Sequence, residues 1–296
     1  MASNSSPNFF SLSDTRTIAY ELSTASNNGR TGPTIVLANS ICAPYRTWDR
    51  VVPALLAKGF NILRYDQPGH GESSAHLEDV TRTNFSTLAD DAVSLLQHLG
   101  ISRLAAWIGV SMGAVTGAYV AAAKPGLIER LVICDTLNCS PGNAGVQDIL
   151  TPRAEAVRLD ESKLSEITNG MANKWLSPGW KDNNPSEFDA IRAAMMTTTP
   201  LGFRACVNAL TAPSFDLLHL AATLSDSVES VTLLVGELDG DLPRSMKALH
   251  EAIQTGFDKA GNRALVHFHM VPDAGHLFYI DSLPAFLNIV CTTVEI

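Results

Sequence analysis

Charge is scarce in this chain, and positive charge scarcer. Of 296 residues only 17% are charged, and 21 Lys and Arg stand against 30 Asp and Glu, a formal net charge of -9. Such a balance repels phosphate backbones and anionic lipid surfaces, so neither nucleic acid nor a membrane is an expected partner. No apolar run approaches the roughly 20 residues that span a bilayer. The opening MASNSSPNFF has neither the basic n-region nor the apolar h-region of a secretory signal. Five cysteines (Cys42, Cys134, Cys139, Cys206, Cys291) form an odd, scattered set with no CxxC pair and no Cys/His ligand spacing. Reduced thiols in a cytoplasmic protein without structural zinc are the expectation. Internal repeats and low-complexity segments are also missing.

What is present is apolar: 46% of residues are hydrophobic, which excludes disorder and implies a buried core. The length allows one large α/β domain with an insertion, or two ordinary domains. From Thr34 onward, short β-branched runs alternate with amphipathic segments. TIVLA (34–38), FNILRY (60–65), RLAAWIG (103–109) and LVIC (131–134) predict strands. Trp48 to Ala57 and Phe85 to Leu99 carry apolar residues at helical spacing. Such alternation predicts βαβ units and a mostly parallel sheet. The rhythm breaks between about Ser140 and Pro213, where turn signals surround short helical pieces such as Glu187 to Met196. It resumes with VTLLVG (231–236), a helix from Ser245 to Ile253, ALVHFHM (264–270) and a helix near Pro284 to Val290. The expected organisation is one α/β core, 1–139 with 214–296, interrupted by a helical cap over 140–213.

Chemistry concentrates at Gly109-Val110-Ser111-Met112-Gly113, a G-x-S-x-G motif between a predicted strand and a predicted helix. A strand-to-helix turn this tight needs small flanking residues and lifts the serine hydroxyl above the sheet's C-terminal edge. The helix N-terminus adds positive potential beside it. A serine nucleophile needs a base, and the base an orienting acid, assembled in space. In chain order the candidates are Ser111, Asp239 in VGELDGDLP and His276 in PDAGHLF, each just past a strand. Asp241 and Asp135 remain alternative acids. Backbone donors for a developing oxyanion are expected from Met112, after the nucleophile, and from Ile41 in the loop after TIVLA. Cys42 in that loop has no histidine near it in the motif, so buried packing is its expected role.

These residues resemble the α/β-hydrolase superfamily from about Thr17 to the C-terminus. ANSICAPYRTWD, YDQPGHGES, GVSMG, VGELD and DAGHLFYIDSLPAFL occur in that family's order and spacing. Within the superfamily the chain is most similar in look to the 3-oxoadipate enol-lactonase-like group, whose Asn-Ser-Leu-Gly-like loop Asn39-Ser40-Ile41-Cys42 echoes. Ile41-Cys42-Ala43 departs from that loop's usual continuation, and Ala114 follows Gly113 where a second glycine is frequent. The resemblance implies a Ser111–His276–Asp239 triad, an oxyanion hole from Ile41 and Met112, and a helical cap. Epoxide hydrolases and haloalkane dehalogenases usually carry Asp at the nucleophile position, so Ser111 argues against them.

The expected reaction is hydrolysis of an ester or lactone of a small, largely hydrophobic molecule, with no metal or organic cofactor. Ser40, Trp175, Trp180, Phe203 and Tyr279 are the expected substrate-binding residues, in a monomer or homodimer. A C–C bond hydrolase, and a cofactor-independent cyclase or lyase using His276 and Asp239 as base, are the alternatives. A ligand-binding protein that keeps the triad is a further one.

Overall fold

In the computed structural model, residues 7–25, 32–75, 79–261 and 265–294 are described. They form an eight-stranded sheet in the order β1-β2-β4-β3-β5-β6-β7-β8. The strands are β1 (Asn8–Ser11), β2 (Thr17–Ser23), β3 (Thr34–Ala38), β4 (Asn61–Tyr65), β5 (Leu104–Val110), β6 (Ile128–Cys134), β7 (Ser230–Gly236) and β8 (Val266–Val271). From β4 to β8 every pairing is parallel; β1 and β2 add an antiparallel edge that the periodicity did not show. β3, β4 and β5 are buried along their whole length, as expected for a sheet covered on both faces.

The helices are α1 (Val52–Ala57), α2 (Phe85–His98), α3 (Met112–Ala123), α4 (Pro141–Ala144), α5 (Thr151–Leu159), α6 (Lys163–Trp175), α7 (Pro178–Asn183), α8 (Pro185–Met195), α9 (Pro200–Thr211), α10 (Leu217–Ala221), α11 (Leu242–Lys259), α12 (Phe278–Asp281) and α13 (Leu283–Val294). Side chains alternate along β3 and β5 between two cores. Val36 and Trp107 join α2, α3 and α11 on one face, while Ile35, Leu37 and Ile108 join α1 and α13 on the other. Asn84 starts α2 with a reciprocal cap: it accepts from the Thr87 N–H at 3.0 Å, and Thr87 Oγ1 accepts from the Asn84 N–H at 3.0 Å.

Several boundaries differ from expectation, among them the start of β6 at Ile128 and the end of α13 at Val294. The helix predicted from Trp48 begins only at Val52, after a tight 3-10 turn over Tyr45–Trp48. Pro53 lacks an N–H and its ring fits only a first turn, so it fixes the start there. The helix predicted over 245–253 runs from Leu242 to Lys259. Ala264 of the last predicted strand lies outside the described residues.

Between β6 and β7 lie α4 to α10 and no strand of the sheet. The ends of this segment are stitched together: Ser140 N–H donates to Phe215 O at 3.0 Å and Leu217 N–H to Asn138 O at 2.7 Å.

Candidate active site

Strand order places the site. The chain leaves β3 for β4 on one side and then returns across β3 to β5 on the other, so the helices after β3 and β5 lie on opposite faces. The loops leaving the C-terminal ends of β3 and β5 therefore open beside each other, at a topological switch point where open α/β sheets bind ligands.

Ser111 joins β5 to α3 with φ 53° and ψ -117°, a conformation that costs a non-glycine residue about 1–3 kcal/mol. The strain is held by hydrogen bonds on both sides. Ser111 N–H donates to Cys134 O of β6 at 2.8 Å, and Ser111 O accepts from Ala114 N at 3.0 Å. The flanking glycines are required by contact distance. A Cβ on Gly109 would lie 2.4 Å from Gly113 O, and one on Gly113 would lie 2.4 Å from the Ala38 carbonyl. The start of α3 thus rests directly on the backbone that ends β3, which brings the Met112 and Ile41 segments together. Neither N–H makes a hydrogen bond among the described residues.

The loop after β3 is clamped from several sides. Asn39 Nδ2 donates to Tyr65 O at 2.8 Å, and Asn39 Oδ1 accepts from Trp48 Nε1 at 2.9 Å. Gln67 Nε2 donates to Asn39 O at 2.7 Å. Ala43 N–H closes a turn onto Ser40 O at 3.2 Å, with Cys42 at φ 58°. His70 is fully buried: its Nδ1–H donates to Pro68 O at 3.0 Å, and its Nε2 accepts the Cys42 N–H at 2.8 Å. Burial lowers its pKa to about 4, so the ring is neutral and can accept. Tying the Cys42 N–H to this ring removes it as a donor, while the Ile41 N–H makes no hydrogen bond among the described residues. Sequence reasoning read His70 only as part of a PGHG turn, because nothing local marks which backbone amide it meets. The Cys42 thiol is buried and pushed up to about 12 by desolvation, which keeps it from acting as a thiolate.

His276 and Asp239 come together as expected. His276 Nδ1 lies 2.5 Å from Asp239 Oδ2, with both side chains more than nine-tenths buried. An Nδ1–H donated to the carboxylate leaves Nε2 as the acceptor on the other side of the ring. The partner of Nε2 is Ser40 Oγ at 3.4 Å, whereas the Ser111 hydroxyl makes no hydrogen bond among the described residues. Asp135, an alternative acid by sequence, stands behind the pair: one ligand-type atom from each of Asp135, Asp239 and His276 lies within 4.8 Å of the others. At 2.5 Å the Asp239–His276 contact is too close for a cation to be held between those two atoms, since adjacent metal ligands at about 2.0–2.2 Å from an ion stand about 3 Å apart.

The expected substrate-binding residues divide. Trp175, at the end of α6, places its ring 4.8 Å from the His276 ring, and its carbonyl accepts the Leu277 N–H at 3.2 Å. Ser40 reaches the imidazole directly. Phe203 is fully buried in the core on the α2 and α3 face. Tyr279 is fully buried too; it stacks on Trp48 with centroids 3.8 Å apart and donates its hydroxyl to Thr47 Oγ1 at 2.9 Å. Trp180 is half-buried against the core on the α1 and α13 face. For Phe203 and Tyr279 the structure shows packing in place of an exposed pocket surface. Of the helical segment's arginines, Arg158 and Arg192 sit in exposed i,i+3 pairs with Glu155 and Asp189.

A sheet of this order with a strained serine elbow defines a hydrolase-type α/β fold. A family model described as alpha/beta hydrolase fold matches residues 33–202, and the chain belongs to that family. It is similar to 3-oxoadipate enol-lactonase 2 of Acinetobacter baylyi, at 27% identity over 178 residues, 60% of this chain and 62% of that protein. The match thus spans about three-fifths of that relative's length. It is similar also to bifunctional epoxide hydrolase 2 of Sus scrofa, at 32% identity over 128 residues, 43% of this chain and 22% of that one. The solved enol-lactonase of Burkholderia xenovorans LB400 superposes with a TM-score of 0.82 at 25% identity, covering 98% of this chain and 100% of that chain. Among the described residues no helix is long and apolar enough to cross a membrane.

Proposed function

We propose that the chain is a serine hydrolase that cleaves an ester or lactone of a small, largely hydrophobic molecule. The observation that carries this is the Ser111 elbow, strained at φ 53°, with two unpaired backbone donors beside it and the buried His276–Asp239 pair at 2.5 Å. In the proposed reaction Ser111 displaces Ser40 as the partner of Nε2, His276 takes the hydroxyl proton, and Oγ bonds to the substrate carbonyl carbon. The carbonyl oxygen becomes an oxyanion held by the Ile41 and Met112 N–H groups. As the tetrahedral intermediate collapses, His276 passes the proton to the departing alkoxide; in a lactone that oxygen stays on the same molecule. Water, deprotonated by His276, then cleaves the acyl-enzyme. Asp239 holds the tautomer and stabilises the imidazolium.

Two comparisons support acyl chemistry through the names of enol-lactonases. Ser111 weighs against epoxide opening, because the ether it would form has no carbonyl for water to attack. We assign α4 to α10 the role of a cap, tied to the base by the Trp175 carbonyl. The test is covalent labelling by a fluorophosphonate with mass mapping of the modified residue. Labelling should fall on Ser111, and Ser111→Ala should lower ester turnover by at least about 10³-fold.

The Ser40–His276 contact favours one second reading, in which His276 and Asp239 act directly as base in a cyclase or lyase and Ser111 only positions substrate. Retained turnover in Ser111→Ala with loss in His276→Ala would select it.

A further inference from the structure

Asp135 follows Cys134, the last residue of β6, and is fully buried, with its backbone at φ 35°. Its carboxyl accepts one donor, the Gly236 N–H, shared between Oδ1 at 3.0 Å and Oδ2 at 3.2 Å. A third carboxyl closes the group. Asp281 on α12 accepts the N–H groups of Ser177 at 2.7 Å and Gly275 at 3.0 Å on Oδ2, while its buried Oδ1 has no partner. Asp135 and Asp239 therefore flank one imidazole, and Asp281 stands close enough to both carboxyls to repel their charge. Among the described residues none of the three pairs with a lysine or arginine.

Two carboxylates this close, closed off from water, cannot both ionise without strong mutual repulsion. Geometry decides which one does. Asp239 has the His276 Nδ1–H at 2.5 Å, whereas Asp135 has half of one amide on each oxygen. We propose that Asp135 is a positioning residue of this site: an uncharged carboxyl that leaves Asp239 as the anion facing His276. The assignment rests on the hydrolase reading above. Burial first, and the Asp239 charge second, push the Asp135 carboxyl well above the usual carboxylate range. The titratable groups facing it are Asp239, His276, Asp281 and the neighbouring Cys134 thiol. A second anion here would hold the imidazole protonated, and a protonated Nε2 cannot take the Ser111 proton.

The experiment compares wild type, Asp135→Asn and Asp135→Ala by the rate of fluorophosphonate labelling at pH 7, and by thermal unfolding from pH 4 to 8. Asp135→Ala should label at least about tenfold more slowly, and Asp135→Asn, a neutral group that still accepts the Gly236 N–H, should restore most of that loss. Wild type keeps a proton on Asp135 that the unfolded chain releases near pH 4. Its folding constant relative to Asp135→Asn should therefore fall as pH rises above 4, by up to about tenfold per pH unit. Equal loss in the Asn and Ala variants, or a pH-independent stability offset between wild type and Asp135→Asn, would overturn the proposal. If Asp135→Ala does not fold, the Asn comparison across pH still decides. A wild type that never labels at Ser111 defeats the hydrolase reading alone, because the unfolding arm reads the Asp135 proton without it.

Discussion

Gly113→Ala sets two effects of opposite sign against each other at the centre of the site. In an exposed helix interior the exchange would stabilise by about 0.5–1 kcal/mol, through reduced backbone freedom of the unfolded chain. At Gly113 the new Cβ meets Ala38 C and O at 2.4 Å and Asn39 N at 2.8 Å, where ordinary contacts begin at 3.4 Å. The start of α3 must therefore retreat from the end of β3 by about 1 Å, at an overpacking cost of about 1–3 kcal/mol. Net stability should drop by about 1 kcal/mol, a fall of about 2–4 °C in Tm for a chain of this size. The functional loss should be larger. The same 1 Å parts the Met112 N–H from the Ile41 N–H, and loss of one oxyanion donor is worth about 10²–10³ in rate. Fluorophosphonate labelling and p-nitrophenyl butyrate hydrolysis measure the rate, and circular dichroism the Tm. Gly170→Ala, on α6 with nothing within 4 Å of its Cβ, is the control and should raise Tm slightly. A Gly113→Ala protein labelled within threefold of wild type would refute the idea that β3–α3 contact sets the donor spacing.

Two further predictions concern pH. Burial raises the Asp66 carboxyl from 3.8 to about 7, against the Tyr45 N–H it accepts at 2.6 Å. Its contribution to stability is therefore full below pH 4 and is lost as pH rises through about 7. Asp66→Asn should gain on wild type over that window by at most about 4 kcal/mol, and unfolding curves that run parallel from pH 4 to 8 would contradict it. His70 has the opposite sign: lowered from 6.5 to about 4, it contributes stability above pH 6.5 that is lost as pH falls through about 4. Replacing it with glutamine should flatten the acid side of the stability profile, by at most about 3 kcal/mol, and denaturant titrations at pH 4 to 7 measure the slope.

Much of this was legible from one chain because the signals are local. The buried strands read as β-branched runs, and G-x-S-x-G marked the elbow. Asp239 and His276 each follow a strand by a few residues, so a parallel sheet must bring them to one edge. The antiparallel strands β1 and β2 escaped: β1 has four residues, too few to show a period, and β2 (TIAYELS) is followed by no helix that would mark a βαβ unit. The role of His70 was invisible: its partner, the Cys42 amide, lies 28 residues away in sequence. Tyr279 next to His276 suggested a pocket wall, yet the turn of α12 directs it onto Trp48.

The sequence by itself determined the covering of the sheet, the serine elbow and the order of its partners, because periodicity and glycine placement act over a few residues. Tertiary structure decided what distance in the chain conceals. It put Ser40 against Nε2, and it set Asp135 beside the Asp239–His276 pair with no lysine or arginine paired to either carboxyl among the described residues. Repulsion and desolvation depend on separations of a few ångströms between segments more than a hundred residues apart, and these exist only once the sheet has formed.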